Sequence, residues 1–123
     1  MRDRSELNEE YQKTILTLLI NGIEVPLENT VFTGHIITAW NPYSVQQREE
    51  MNKDANDQLL HVLLRFTNSI IEAVGQNKDG TWIEKGFAID NLEDQAAIEI
   101  GRKFGQNAIF KVVDGKSQVV WCN

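Results

Sequence analysis

Residues 31–44 read VFTGHIITAWNPYS, and this stretch decides the fold. Val31, Phe32, Ile36, Ile37 and Trp40 put bulky or β-branched groups at odd and even positions alike, so a strand over residues 31–40 is apolar on both faces. Such a strand belongs in the middle of a sheet that is covered on two sides. Asn41-Pro42 ends it, because proline lacks an N–H and pushes the residue before it out of helical geometry. Ser44 then reads as the N-cap of a long helix over residues 44–66. Met51, Ala55, Leu59, Leu60 and Leu63 make the apolar stripe of that helix, and Asp54, Asp57, His61 and Arg65 its wet side.

Towards the C-terminus, residues 70–74 and 82–89 read as a hairpin joined through Asn77-Lys78-Asp79-Gly80. Asp90 can cap a third helix with Glu93 at the reciprocal position. Leu92, Ala96, Ile100 and Phe104 form its seam, which ends near Gly105. A last hairpin pairs residues 108–113 with 118–122 around Asp114-Gly115. Towards the N-terminus, Leu7, Tyr11, Ile15, Leu18 and Leu19 recur at helical spacing, which predicts a helix over residues 5–20 capped by Ser5 and stopped by Gly22. Residues 23–27 fit a short strand that Pro26 confines to an edge. The resulting order is β-α-β-β-α-β, an extra C-terminal strand and an additional N-terminal helix. This is the α+β, ferredoxin-like split βαβ pattern, in one domain of residues 1–123 with an N-terminal helical region (1–22) and an α+β core (30–122). The N-terminal helix is expected to cover the sheet face that such folds often leave open.

With 123 residues, 41% hydrophobic and 24% charged, the composition is that of an ordinary globular domain. A net charge of -6 repels phosphate backbones and argues against non-specific nucleic-acid binding. Cys122 is the only cysteine, so no disulfide can form within the chain, and it reads as a small apolar residue of the last strand. No apolar run approaches a membrane span, and residues 1–6 lack the apolar stretch of a signal peptide. A cytoplasmic location without membrane association is the expectation.

No phosphate-binding glycine loop, GxSxG elbow, HExxH or paired-cysteine pattern occurs, so no cofactor and no metal site is expected. His35 reads as a packed or hydrogen-bonded strand residue and His61 as a solvated helix residue. The polar residues in unexpected places are more informative. Asn52 and Asn56 share a helical face with Leu59 and Leu63, where buried amides need partners in the adjacent turn or in a polar cavity. Trp82 and Glu84 share a strand face opposite Ile83, Phe87 and Ile89. Gln106 sits where the third helix enters the next strand. In a split βαβ sheet the first strand lies between the third and the fourth, antiparallel to both. Thr38, Asn41, Ser44, Asn52, Trp82, Glu84 and Gln106 would then gather on one rim, beside a helix N-terminus suited to an anionic or carbonyl group.

The segments HIITAWNPYS, Asn52 ahead of LLHVLL, WIEKGFAI and IGRKFGQNAIF resemble a bacterial family, domain of unknown function 3293. The resemblance covers residues 33–112 and leaves out the N-terminal helix and the last strand. Tyr43 between the proline and the serine, and a short loop before Trp82, depart from its pattern. It implies a recurring design and no particular activity. Three functions fit the rim. In the first, a small binding or regulatory domain holds a small polar or anionic ligand with Thr38, Asn41, Ser44, Asn52, Trp82 and Gln106. In the second, a metal-independent enzyme uses Glu84 as catalytic general acid or base. The third is a protein–protein adaptor, with a homodimer among the options and a purely structural rim.

Overall fold

The structure, a computed structural model, describes residues 4–122; residues 1–3 of the expected N-terminal helical region lie outside the described residues. The central strand is β3 (Gly34–Thr38), shorter at both ends than the apolar run that encodes it. It follows α1 (Arg4–Gln12), β1 (Ile15–Ile20) and β2 (Ile23–Pro26), and precedes α2 (Glu49–Leu63), β4 (Ile70–Gln76), β5 (Ile83–Ile89), α3 (Asp94–Lys103), β6 (Ala108–Val113) and β7 (Lys116–Trp121). Among the described residues the seven strands form one antiparallel sheet in the order β2-β1-β4-β5-β3-β6-β7. β3 therefore pairs with β5 on one side (Thr38 opposite Gly86) and with β6 on the other (Ile36 opposite Phe110).

The N-terminal segment corrects the sequence reading. The helix stops at Gln12, and residues 15–20 are strand β1, with Leu16 and Leu18 buried and Ile15 and Leu19 exposed in alternation. Asn21 (φ 53°) and Gly22 (φ 79°) make the two-residue turn to β2. Asn-Gly with both residues at positive φ is the turn whose twist suits a hairpin, and it outweighs a helical stripe that also fits a period of two. Asp114 (φ 51°) and Gly115 (φ 77°) do the same between β6 and β7, as expected. Two caps also differ. Ser44 lies in a single 3-10 turn (Pro42–Ser44), and α2 begins only after Arg48. Asp90 does not cap α3, whose N-cap position is Glu93 without a side-chain bond.

Both faces of the sheet are packed, by different means. On one face Leu59 and Leu63 of α2 and Ala97 and Ile100 of α3 meet Ile37, Phe87, Ile89 and Ile109. On the other, Leu16 and Leu18 of β1 join Ile36, Ala73, Ala88 and Val112, together with Leu27 from the 3-10 turn after β2. This second cluster runs along one face of the curled sheet across five neighbouring strands, from β1 through Ala73 of β4 and Ala88 of β5 to β3 and β6. Gly86 permits tight packing at the centre: a Cβ there would stand 2.6 Å from the Ile37 carbonyl oxygen and 2.9 Å from Thr38 Cβ. Gly86→Ala is accordingly expected to lower unfolding stability by about 2 kcal/mol in urea titration. A loss below about 0.5 kcal/mol would show that no such close approach exists.

Candidate functional site

The chain beyond β3 runs on without a strand partner for its N–H groups, and side chains supply what the ladder does not. Ala39 N–H donates to Asn56 Oδ1 (3.0 Å), Trp40 N–H to Thr38 Oγ1 (3.0 Å) and Asn41 N–H to Asn52 Oδ1 (2.8 Å). The spacing explains why asparagines occupy the apolar face of α2. Four helical residues advance about 6.0 Å and two extended residues about 6.6 Å, so amides at i and i+4 match backbone groups at j and j+2. Asn52 Nδ2 returns a bond to Asn41 Oδ1 (2.9 Å), which also accepts Gln47 N–H (3.1 Å), and Gln47 Nε2 donates to Asn52 Oδ1 (2.6 Å). This clamp holds Asn41 in the left-handed region (φ 46°), so the chain reverses sharply into Pro42. Gln106 Nε2 secures the same turn by donating to the Trp40 carbonyl (3.2 Å), and Tyr43 N–H donates to the Gly105 carbonyl (2.7 Å).

On the opposite face of the sheet lies a cavity of about 700 Å³, walled on one side by Leu7 and Tyr11 of α1. It exists because its floor is made of small residues: Ala73 and Gly75 of β4, Gly86 of β5 and Ala108 of β6. Thr38, Ser44, Trp82 and Glu84 all line it. The Trp82 indole N–H donates to Glu84 Oε2 (2.8 Å). Burial raises the Glu84 carboxyl from its ordinary value of 4.5 to about 7, against the lowering effect of the hydrogen bond from Trp82 and then that of the Asn41 side chain. The Tyr11 hydroxyl sits 3.3 Å from Ser44 Oγ, which also accepts Asn107 Nδ2 (3.1 Å). Burial raises the Tyr11 phenol, the bond to Ser44 opposes this, and the Glu84 charge adds to the rise. The Tyr11 ring is held edge-on by Phe110 and Trp121, at centroid distances of 6.0 and 5.7 Å.

The residues singled out from sequence thus divide into two groups. Thr38, Ser44, Trp82 and Glu84 share the cavity, and Asn41 reaches it through Glu84. Asn52 and Gln106 stand behind the turn with their amides engaged by the backbone and by Gln47, so they shape the site without facing it. The Thr38 hydroxyl is likewise occupied, donating to the Lys85 carbonyl while accepting Trp40 N–H. The helix N-terminus expected at Ser44 lies instead at Glu49, with Glu49 and Glu50 in its first turn, so the dipole basis for an anionic ligand falls away. Tyr11 and the small floor residues went unread in the sequence, whereas Asn107 stood beside Gln106 in the Gly105-Gln106-Asn107 segment at the entry to β6. Tyr11 passes for one more member of an apolar stripe, and small residues reveal a void only once register places them side by side. His35 is buried, with Nε2 2.8 Å from Asp94 Oδ1, and His61 is exposed. Among the described residues no three His, Cys, Asp or Glu side chains group as a metal site, and no helix is long and apolar enough to cross a membrane.

The fold and site define an α+β domain with a lined cavity under the end of its central strand. Residues 37–109 match the family described as protein of unknown function (DUF3293), and the chain belongs to that family. The match runs from β3 to the start of β6 and so takes in the clamp, Trp82, Glu84 and Gln106. No curated protein and no solved structure matches the chain.

Asn52→Leu keeps the bulk of the side chain but leaves the Asn41 N–H and the Gln47 amide without an acceptor, so a loss of about 3 kcal/mol is expected in chemical denaturation. A loss below about 1 kcal/mol would remove the clamp as a structural determinant. Glu84 supplies a second expectation. Its folded carboxyl keeps its proton up to about pH 7 and the unfolded one only to 4.5, so its stabilising contribution is full below pH 4.5 and is lost as pH rises through 7. Glu84→Gln lacks that loss, so the variant should gain on wild type by on the order of 3 kcal/mol across this window. A stability difference that stays flat from about pH 4 to 8 would place Glu84 in water.

Proposed function

We propose that the protein is a small binding domain of regulatory type, cytoplasmic, which holds a small molecule in the cavity between α1 and the curled sheet. The observation that carries this reading is the cavity itself. It is large enough for a drug-sized or metabolite-sized molecule, walled mainly by apolar and small side chains, and supplied with a few converging polar groups at Glu84, Ser44 and Tyr11. The frame behind it we read as a ferredoxin-like split βαβ unit. The element order β3-α2-β4-β5-α3-β6 and the strand order β4-β5-β3-β6 support that reading, with β1, β2, α1 and β7 as additions. One cysteine, buried in the chain, is compatible with a reducing compartment.

A second reading, a metal-independent enzyme with Glu84 as general acid or base, is favoured by the place of its carboxyl: it lines the cavity, held by the Trp82 indole N–H, and burial raises it to about 7, a range that suits proton transfer at neutral pH. Glu84→Gln distinguishes the two. It should abolish turnover in an enzyme, whereas a binding domain has no turnover to lose.

The binding reading is tested by thermal shift against a panel of nucleotides, sugar phosphates, amino acids and biogenic amines. A ligand present at a hundred times its Kd adds about 2.7 kcal/mol, which raises Tm by roughly 8–12 °C for a domain of this size. Ala108→Leu, which projects a larger side chain into the floor, should eliminate the shift. If no compound stabilises the protein, the cavity is not a ligand site and the adaptor reading takes its place.

A further inference from the structure

We infer that the cavity is built for an organic cation, an ammonium or protonated nitrogen on an apolar or aromatic body, with Glu84 as its counter-ion. This rests on the binding reading above and names the ligand class. Glu84 is a carboxylate turned into an otherwise largely apolar space, oriented by the indole N–H of Trp82. The ion pairs among the described residues join His35 to Asp94, Lys111 to Asp94 and Lys53 to Glu49, and none includes Glu84. Lys85, next to it in sequence, points to the other face of the sheet, where its ammonium lies 5.9 Å from the centre of the Trp40 ring. A carboxylate removed from water with no cation beside it is costly to ionise, and a bound ammonium supplies what is missing.

The remaining walls fit the same ligand. Tyr11, Trp82 and Phe110 bring three aromatic side chains to the cavity, and aromatic faces attract cations as well as apolar bodies. The other charged groups at the cavity are the exposed Lys13 and Lys78 and, with opposite sign, Glu10 and Asp79. They balance in number, so the interior carboxylate sets the preference. Above about pH 7, where Glu84 is ionised, an anionic ligand would instead face its charge at close range. The chain's net charge of -6 draws cations towards the protein at long range. Burial is what raises the titration of Glu84, against the hydrogen bonds from Trp82 and Asn41.

Three probes with one indole body separate charge from shape: tryptamine, its alcohol analogue indole-3-ethanol, and indole-3-acetate, titrated calorimetrically at pH 8. Wild type should bind tryptamine at least tenfold tighter than the alcohol, with the acetate weakest. Glu84→Gln should reduce tryptamine affinity at least tenfold, to near that of the alcohol, and so remove the preference of the wild type for the charged probe. The wild-type ranking needs no variant to fold. Equal affinity for all three probes, or a preference for the acetate, would overturn the cation inference. If that binding were still abolished by Ala108→Leu, the pocket would stand with a different ligand class. If none of the three bound while another compound gave a shift sensitive to Ala108→Leu, the cation inference alone would fall. Absence of any bound compound would remove both.

Discussion

A pair of asparagine side chains on one face of α2 holds the end of β3 in place. Asn56 and Asn52 accept the N–H groups of Ala39 and Asn41, two backbone positions that have left the sheet but have not reached water. Without those acceptors the segment would carry buried, unpaired donors, and the left-handed turn at Asn41 would lose its reason to persist. Pro42, Tyr43 and Ser44 follow from that turn, with Tyr43 (φ 58°) and Ser44 (φ 60°) also at positive φ. Strain of this kind survives only where surroundings over-determine it, and here Asn52, Gln47, Gly105 and Gln106 all bear on three residues. Gly105 belongs to the same arrangement: its φ is +72°, and a Cβ on it would stand 2.9 Å from Pro42 Cβ.

Once the turn is set, sheet pairing carries its consequences to the other face. β3 lies between β5 and β6, so the turn stands beside the start of both. That brings Glu84 under Asn41 and brings Asn107 to Ser44, although these residues are far apart in the chain. One end of the concave face closes by packing Leu16, Leu18, Ile36 and Val112 together. The other cannot close, since glycine and alanine at positions 73, 75, 86 and 108 provide too little volume. The cavity is therefore a product of register, and α1 completes it through Tyr11.

This division explains what the residues disclosed in advance. The β3 run, the Asn-Pro turn, both later hairpins and the β-α-β-β-α-β order were legible because each carries a local signal: branched apolar residues, proline geometry, Asp-Gly, or helical spacing. The odd placement of Asn52 and Asn56 was legible too, as amides in an apolar stripe, although their partners were not. The N-terminal segment misled because Leu7, Tyr11, Ile15 and Leu18 satisfy a helical period while residues 15–20 also satisfy a strand period. Asn21-Gly22 held the deciding signal. Ser44 looked like a helix cap because serine is a favoured N-cap residue, yet positive φ at Asn41, Tyr43 and Ser44 itself delays α2 to Glu49. Nothing local could announce the cavity, because a void made of missing side chains has no pattern until strands are aligned.

Amide hydrogen exchange at Ala39 and Asn41 tests the account most directly, because these N–H groups are held by side chains of α2 and by no strand. If the clamp is intrinsic to the fold, both exchange only on global or near-global opening, within about tenfold of the β3–β5 ladder amides Ile37 and Phe87. Exchange at rates near those of an unstructured peptide, with the ladder still protected, would show that the asparagines do not hold the strand end, and the site built beneath it would lose its foundation.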